Sequence, residues 1–397
     1  MKLEFSSSMV TKAPLIVVII LLNPISSVII PTNSQAPALP DEDSNTYLGY
    51  YWGAAGIASG LMKLSVSNIL DNSQKLELNR LALAAIDTVW DYRYQLENGT
   101  KIAAWSKYED GDIYPGLKYG VAGISNVFIE AYAYSNDQKY LDWAIESIDE
   151  LFLEISNNSV FANWPYSYSD YRDTFGIPIT DKSFGSLGIL ESTLKLYKVT
   201  GNQNYLGKAL ETYQWLESIS KIYNSNNLSV NLLPWYIIDD NSGPLYSSLY
   251  SGNAAAIPLF IELGELSNNQ TIIQWGYDIA NLYIQIQKDD GSWPVIINKP
   301  ESISRTTVEL GAAGIIQSLN ILIQKQFPNI TDTVENGIKW IVSQINRTNG
   351  QFFIPIEPNR QSGRNSVFSG LTGILQSIRL SNQSGFDDIL SEGYYYL

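Results

Sequence analysis

Gly311-Ala312-Ala313-Gly314-Ile315 is the stretch from which the fold can be read, because the same small-residue phrase returns along the whole chain. It occurs as Gly53-Ala54-Ala55-Gly56-Ile57, Gly120-Val121-Ala122-Gly123-Ile124, Gly185-Ser186-Leu187-Gly188-Ile189 and Gly370-Leu371-Thr372-Gly373-Ile374. A degenerate copy stands at Gly252-Asn253-Ala254-Ala255-Ala256. Successive phrases are 67, 65, 67, 59 and 59 residues apart. A period of roughly sixty residues marks an internally repeated architecture. Each phrase opens an apolar run at helical spacing, as in Gly188-Ile189-Leu190-Glu191-Ser192-Thr193-Leu194-Lys195-Leu196-Tyr197. A glycine costs a helix about 1 kcal/mol relative to alanine, so something must come too close for a side chain. Helix ends crowded around one axis are the expected cause.

Tryptophan supplies an independent grid. Trp90, Trp143, Trp215, Trp275 and Trp340 lie in amphipathic segments, Leu76–Leu96, Lys139–Ile155, Tyr205–Ile219, Thr271–Gln287 and Thr333–Ile345. A second aromatic follows each, Trp105, Trp164, Trp235, Trp293 and Phe353, and the next glycine phrase begins 15, 21, 17, 18 and 17 residues later. The unit is therefore a helix, a short extended Trp segment, a loop and a glycine-led helix. A closed ring of such hairpins is an all-α, six-hairpin α/α toroid, with the glycine-led helices inside and the Trp-bearing ones outside. The second aromatic of each unit is expected to wedge between hairpins and seal the outer wall.

The repeat runs without a linker from about residue 47 to residue 397, so the toroid forms one domain. With 25 Lys+Arg against 40 Asp+Glu the formal charge is −15, which argues against nucleic acid or an anionic membrane surface as a partner. Cysteine and histidine are absent. Thiol chemistry, disulfides, Cys/His zinc sites and a histidine base are thereby excluded, leaving acid/base work to Asp, Glu, Tyr, Lys or Arg.

Residues 1–34 carry Lys2, Lys12 and an apolar run from Leu15 to Leu22 that Asn23-Pro24 interrupts. So short a run suits a secretion signal; the alternative is an uncleaved anchor using Ala13 to Ile30. Residues 35–46 form a flexible lead. Seven Asn-x-Ser/Thr sequons fit an exported glycoprotein, although a chain rich in these residues also produces them by chance.

The phrase Phe184-Gly185-Ser186-Leu187-Gly188-Ile189, followed by Leu194-x-Leu196-Tyr197-x-x-Thr200-Gly201-Asn202-x-x-Tyr205-Leu206-x-x-Ala209 and by Trp215-Leu216, resembles the lanthionine synthetase C-like family. The resemblance covers the repeat region and implies an α/α toroid. Active members of that family use zinc to activate a Cys thiol. Matching their site to this chain places Asp181 four residues before a glycine phrase, Arg305 at the family's arginine and Glu309 at its first zinc cysteine. Phe368-Ser369 and Ser251 stand where the remaining ligand and histidine positions fall. The resemblance thus implies a toroid with no metal and no cofactor, a pseudoenzyme that binds a peptide or an oligosaccharide at its mouth. Gln287-x-x-x-Gly291-x-Trp293 is also similar to the Gln-Trp repeat of terpene cyclases, which share the helical toroid.

A second reading is a carbohydrate-active hydrolase or lyase on a six-hairpin ring, which needs carboxylates about 5 to 9 Å apart. Acids in the loops before the inner helices are Glu109, Asp110, Asp112, Asp170, Asp173, Asp181, Asp239, Asp240 and Glu309. Loop acids also cap helices as a matter of course. Asp181, Arg305, Glu309 and Asp173 are the catalytic candidates, and Trp164, Tyr168, Asp170, Arg172 and Tyr250 the candidates for substrate contact. The third reading is a scaffold that offers its rim to a protein partner.

Overall fold

The computed structural model describes residues 48–353 apart from 52, 67–69, 96–98, 106–112, 159–163, 165–176, 226–227, 239–240, 345 and 349–350. Ten α-helices among the described residues alternate between two concentric layers. The inner ones are α1 (Ala54–Ser65), α3 (Val121–Ser135), α5 (Ser186–Thr200), α7 (Ala256–Ser267) and α9 (Ala312–Gln324). The outer ones are α2 (Asn72–Asp91), α4 (Gln138–Asn158), α6 (Gln203–Ile219), α8 (Gln270–Gln285) and α10 (Ile330–Ser343). Each inner helix packs on the outer helix that follows it and on its inner neighbours, the arrangement of an α/α toroid. Three two-stranded antiparallel hairpins lie in the connections, β1–β2 (Lys221–Ser225, Leu228–Leu232), β3–β4 (Ile237–Ile238, Asn241–Ser242) and β5–β6 (Asn346–Thr348, Gln351–Phe353). The sixth phrase and the N-terminal segment lie outside the described residues.

The glycines are explained first by their own loops, while the second glycine of a phrase also meets the loop of the preceding repeat: a Cβ on Gly188 would lie 3.0 Å from Leu117 Cβ and one on Gly314 2.7 Å from Leu249 Cβ. The first glycine of each described phrase is an extended N-cap residue, as at Gly120 and Gly311. A Cβ on Gly120 would sit 1.7 Å from the Tyr114 carbonyl oxygen, and one on Gly123 1.9 Å from that of Leu117. The preceding loop folds back over the start of the helix and presents its carbonyls to the first N–H groups: Tyr114 to Val121, Ile179 to Ser186, Tyr246 to Asn253 and Arg305 to Ala312. Backbone thus does the work that Ser or Asp does at ordinary helix starts. In the degenerate fourth phrase the second glycine is replaced by Ala255, and the first turn there is a 3-10 turn, Asn253–Ala255.

The same loops are tied to one another around the axis. The residue two before each phrase donates its N–H to the carbonyl of its counterpart in the next repeat. These bonds run from Tyr51 to Lys118 (2.8 Å), Lys118 to Ser183 (2.7 Å), Ser183 to Tyr250 (2.9 Å) and Tyr250 to Glu309 (3.3 Å). That chain fixes one mouth of the toroid.

The outer wall follows the spacing at three of the four second aromatics whose side chains are described, Trp235 being the exception. Trp105, Trp164 and Trp293 are buried, and their indole N–H groups donate to carbonyls late in the preceding outer helix, Val89, Leu151 and Tyr283. Trp293 lies on Gly337 of α10, where a Cβ would meet its ring at 2.6 Å, so it wedges hairpin against hairpin. Gln287 bridges the same joint by donating to the Gly291 and Thr333 carbonyls, which gives the Gln287/Trp293 pattern a structural role. The outer Trp90 stacks on Trp143 with centroids 4.6 Å apart. Helix α2 begins earlier than the hydrophobic pattern indicates, because Asp71 and Gln74 form a reciprocal capping box.

Candidate functional site

The mouth loops bring several sequence-selected residues together. Asp181 starts the turn before α5, where Oδ1 accepts the Phe184 N–H at 2.7 Å. Its Oδ2 accepts the Trp235 indole N–H at 2.8 Å. Burial raises the Asp181 carboxyl to about 7; its two N–H donors and the nearby Lys118 ammonium oppose that rise without cancelling it. Trp235 occupies the repeat position of the wall tryptophans but has left the wall for this carboxylate.

Glu309, two residues before the phrase that opens α9, accepts from the Tyr51 hydroxyl at 2.6 Å and from Lys118 Nζ at 2.5 Å. Both side chains of the ion pair are largely buried, and Lys118 lies 4.2 Å from the centre of the Tyr51 ring. Behind them Lys182 reaches Glu191 of α5 at 2.6 Å, while Lys195 reaches it at 2.8 Å. Burial pushes the Glu191 carboxyl up, but the two ammonium groups outweigh it and hold the group at about 2. Tyr250 is buried in the same region; burial, reinforced by the charge of neighbours such as Glu191 and Glu309, keeps it a neutral phenol.

A cavity of about 380 Å³ opens beside this cluster, between the loops that precede α7 and α9. Trp235 and Tyr246, an edge-to-face pair with centroids 5.7 Å apart, form one side. Val295, Ile296, Ile303 and Leu310 supply apolar surface, and Ser251, Ser302 and Arg305 the polar groups. The Ser302 hydroxyl is engaged by Ile296. The cavity borders the degenerate phrase, the place where the repeat departs from its own rule.

Arg305 therefore lines the cavity, Asp181 joins it through Trp235, and Glu309 and Tyr250 belong to the axial cluster. Trp164 is fully buried and bonded to Leu151, so it offers no face to a ligand and serves the wall. Tyr168, Asp170, Arg172 and Asp173 lie outside the described residues, as do Glu109, Asp110, Asp112, Asp239 and Asp240. Sequence reading missed Tyr51, Lys118 and Tyr246. Lys118 and Tyr51 could have been found by aligning the residues two before each phrase.

The donor set does not fit the zinc site that the resemblance would carry. Glu309 already holds an ammonium and a phenol, and a second cation beside Lys118 would be repelled. The chain supplies neither thiolate nor imidazole. Among the described residues no three Asp or Glu side chains gather into a metal nest.

The fold and this mouth define an α/α toroid. No protein-family model matches the chain, and no curated protein matches it. Solved structures do. Nisin cyclase is similar over 96% of this chain and 86% of its own, with a TM-score of 0.58 and 14% identity. Cellobiose 2-epimerase from Spirochaeta thermophila matches over 85% and 86% respectively, with a TM-score of 0.57 and 15% identity. The GH76 α-mannanase from Bacteroides thetaiotaomicron matches over 85% and 86%, with a TM-score of 0.52 and 13% identity. At such identities the likeness is one of fold.

Proposed function

We propose that the protein is a zinc-less toroid, lanthionine synthetase C-like in its repeat, that binds a saccharide in the cavity at its mouth. The observation that carries this reading is the displacement of Trp235. A tryptophan that the repeat assigns to the wall is held instead by Asp181 at the cavity edge, paired with Tyr246 as an aromatic surface. Aromatic faces beside a few fixed polar groups are what sugar rings require, and the volume lies at the small end of ligand sites, about 300–1,000 Å³. Proteins of the same fold named as an epimerase of cellobiose and a mannanase lend support by analogy.

A thermal-shift screen of saccharides and short peptides tests it, with Trp235→Ala beside the wild type. A ligand at one hundred times its dissociation constant should add about 2.7 kcal/mol. A saccharide shift that Trp235→Ala abolishes is expected; stabilisation by peptides alone would overturn the reading. A hydrolytic version rests on Asp181, whose carboxyl burial raises to about 7, and requires Trp235 to move aside, since Asp181 is 1% exposed and lies behind that indole rather than on the cavity lining. Release of reducing ends, lost in Asp181→Asn, is its measurement. The reading also places the protein outside the cytoplasm, on the strength of the apolar run from Leu15 to Leu22 and the sequons. Recovery of the chain from a cytosolic fraction alone would refute that placement.

A further inference from the structure

We infer that the mouth cavity is a docking site for the chain's own lead, and that Pro37-Ala38-Leu39-Pro40 occupies it whenever no ligand does. The inference goes beyond the saccharide reading and does not depend on it. The cavity is an apolar groove with an aromatic side, Trp235 and Tyr246 standing with Val295, Ile296, Ile303 and Leu310. Ile303 remains 47% exposed although it lines the groove. A volume of about 380 Å³ admits a few apolar side chains but no folded partner.

Three features select the lead as that occupant. The first is where it joins the fold. The Leu48 carbonyl accepts the Ala55 N–H at 3.2 Å, and Tyr51 donates its N–H to the Lys118 carbonyl at 2.8 Å, so the chain enters at the mouth. The Tyr51 hydroxyl touches Glu309, the neighbour of cavity-lining Leu310. From Leu48 to Tyr51 the backbone spans at most about 11 Å, whereas the seven residues from Asp41 to Tyr47 extend to about 23 Å. Pro40 is therefore within reach of the groove.

The second feature is chemistry. Pro37 and Pro40 make a Pro-x-x-Pro pattern with Leu39 between them. Such segments favour a polyproline II course before they bind, and they dock on aromatic-lined grooves at a small cost in entropy. The third is charge. Asp41-Glu42-Asp43 follows directly. At the edge of the groove the Lys288 ammonium donates to the carbonyl of cavity-lining Ser302 at 3.0 Å and forms no ion pair among the described residues. A carboxylate of the triplet complements it.

A tether this short holds the segment at an effective concentration on the order of 1 mM, so a Kd of about 0.1 mM for the free peptide already leaves the groove about nine-tenths filled. An incoming ligand competes with the lead, and its apparent affinity falls about tenfold.

The probe is a fluorescein-labelled peptide of the lead, Ala36 to Ser44, titrated by anisotropy against two full-length proteins. One is the wild type; the other carries Pro37→Ser, Leu39→Ser and Pro40→Ser, which disable the lead in place. The variant should bind the peptide about tenfold more tightly than the wild type, and a peptide with the same three substitutions should bind neither. Equal binding to both proteins overturns self-docking, as does failure of the variant to bind. Trp235→Ala added to the variant should lower affinity at least tenfold; unchanged affinity puts the peptide elsewhere and overturns the assignment of the groove. Where that substitution unfolds the protein, Ile303→Asp at the exposed edge gives the same reading. A wild-type dimer in sedimentation that the three lead substitutions dissociate would show a lead donated by a second copy and overturn docking within one chain. None of these outcomes involves a sugar, so the saccharide reading stands or falls separately.

Discussion

Trp293 and Trp235 stand at the same station of successive repeats and end in opposite environments. Trp293 is buried in the wall, bonded to the Tyr283 carbonyl at 2.8 Å and lying on Gly337. Trp235 is half-buried at the mouth and bonded to a carboxylate. What separates them is the chain between. After α6 the β1–β2 hairpin intervenes, and Leu232 and Leu233 enter the core, with Leu233 locked to the Asn253 side chain at 2.7 Å. The wall is filled without the indole, which is released to the mouth. One residue type at one repeat position therefore serves packing or recognition according to what its loop buries in its place, and departures from a repeat's rule collect where function is expected.

The largest effect should come from attacking the wall. Trp293→Ala is expected to cost about 3–5 kcal/mol in urea denaturation, the range for a large buried aromatic, with ligand affinity of the folded fraction unchanged. A loss below about 1 kcal/mol would erase the contrast. The axial cluster comes next. Lys118→Met leaves Glu309 buried with only the Tyr51 phenol and should cost about 3 kcal/mol, while adding Glu309→Gln should restore part of it. Additive losses in the double variant would show that the two side chains are not a coupled pair.

Repetition made the architecture legible. Glycine pairs and tryptophans recurring at near-constant intervals identify hairpins, layers and wall from composition and spacing, because close backbone approach and wedge packing recur in every unit. The cause of the glycines was not legible, since the carbonyl that excludes a side chain from Gly120 belongs to Tyr114 in the unit's own loop. The candidate site was only half legible. Asp181 and Arg305 could be placed from their offsets to the phrases, and Lys118 shares the offset of Glu309, but nothing local says that these two side chains meet across 191 residues. Trp164 was misleading for the opposite reason: its tyrosine-rich and acidic neighbours suggest stacking, whereas its interval to the next phrase is that of a wall residue. Trp235, 17 residues before its phrase, falls within the 15 to 21 spanned by the wall residues, and nothing short of the three-dimensional course of β1–β2 tells them apart.

The pH dependence of the two tryptophan environments sharpens the comparison further. Asp181 has a folded pKa of about 7 against 3.8 for the free group, so the native state holds the extra proton between those values. Its contribution to stability is therefore fully present below about pH 4 and is lost as pH rises through 7. Asp181→Asn carries no such penalty, so its stability relative to the wild type should rise by about 2 kcal/mol between pH 5 and pH 8. A flat difference would mean that the carboxyl titrates normally.

The smallest change probes the indole itself. Trp235→Phe keeps a ring at the mouth and removes the N–H that Asp181 Oδ2 accepts, at an expected cost of about 1 kcal/mol. The lost bond favours the ionised carboxylate, so the cost should be larger at pH 8 than at pH 5, where Asp181 is protonated and needs the donor less. Trp293→Phe removes an equivalent N–H from the Tyr283 carbonyl, which does not titrate, so its cost should be the same at both pH values. Paired denaturation curves of the two variants thus separate a wall tryptophan from a mouth tryptophan by the slope of their difference with pH. Parallel slopes would place Trp235 back among the wall residues.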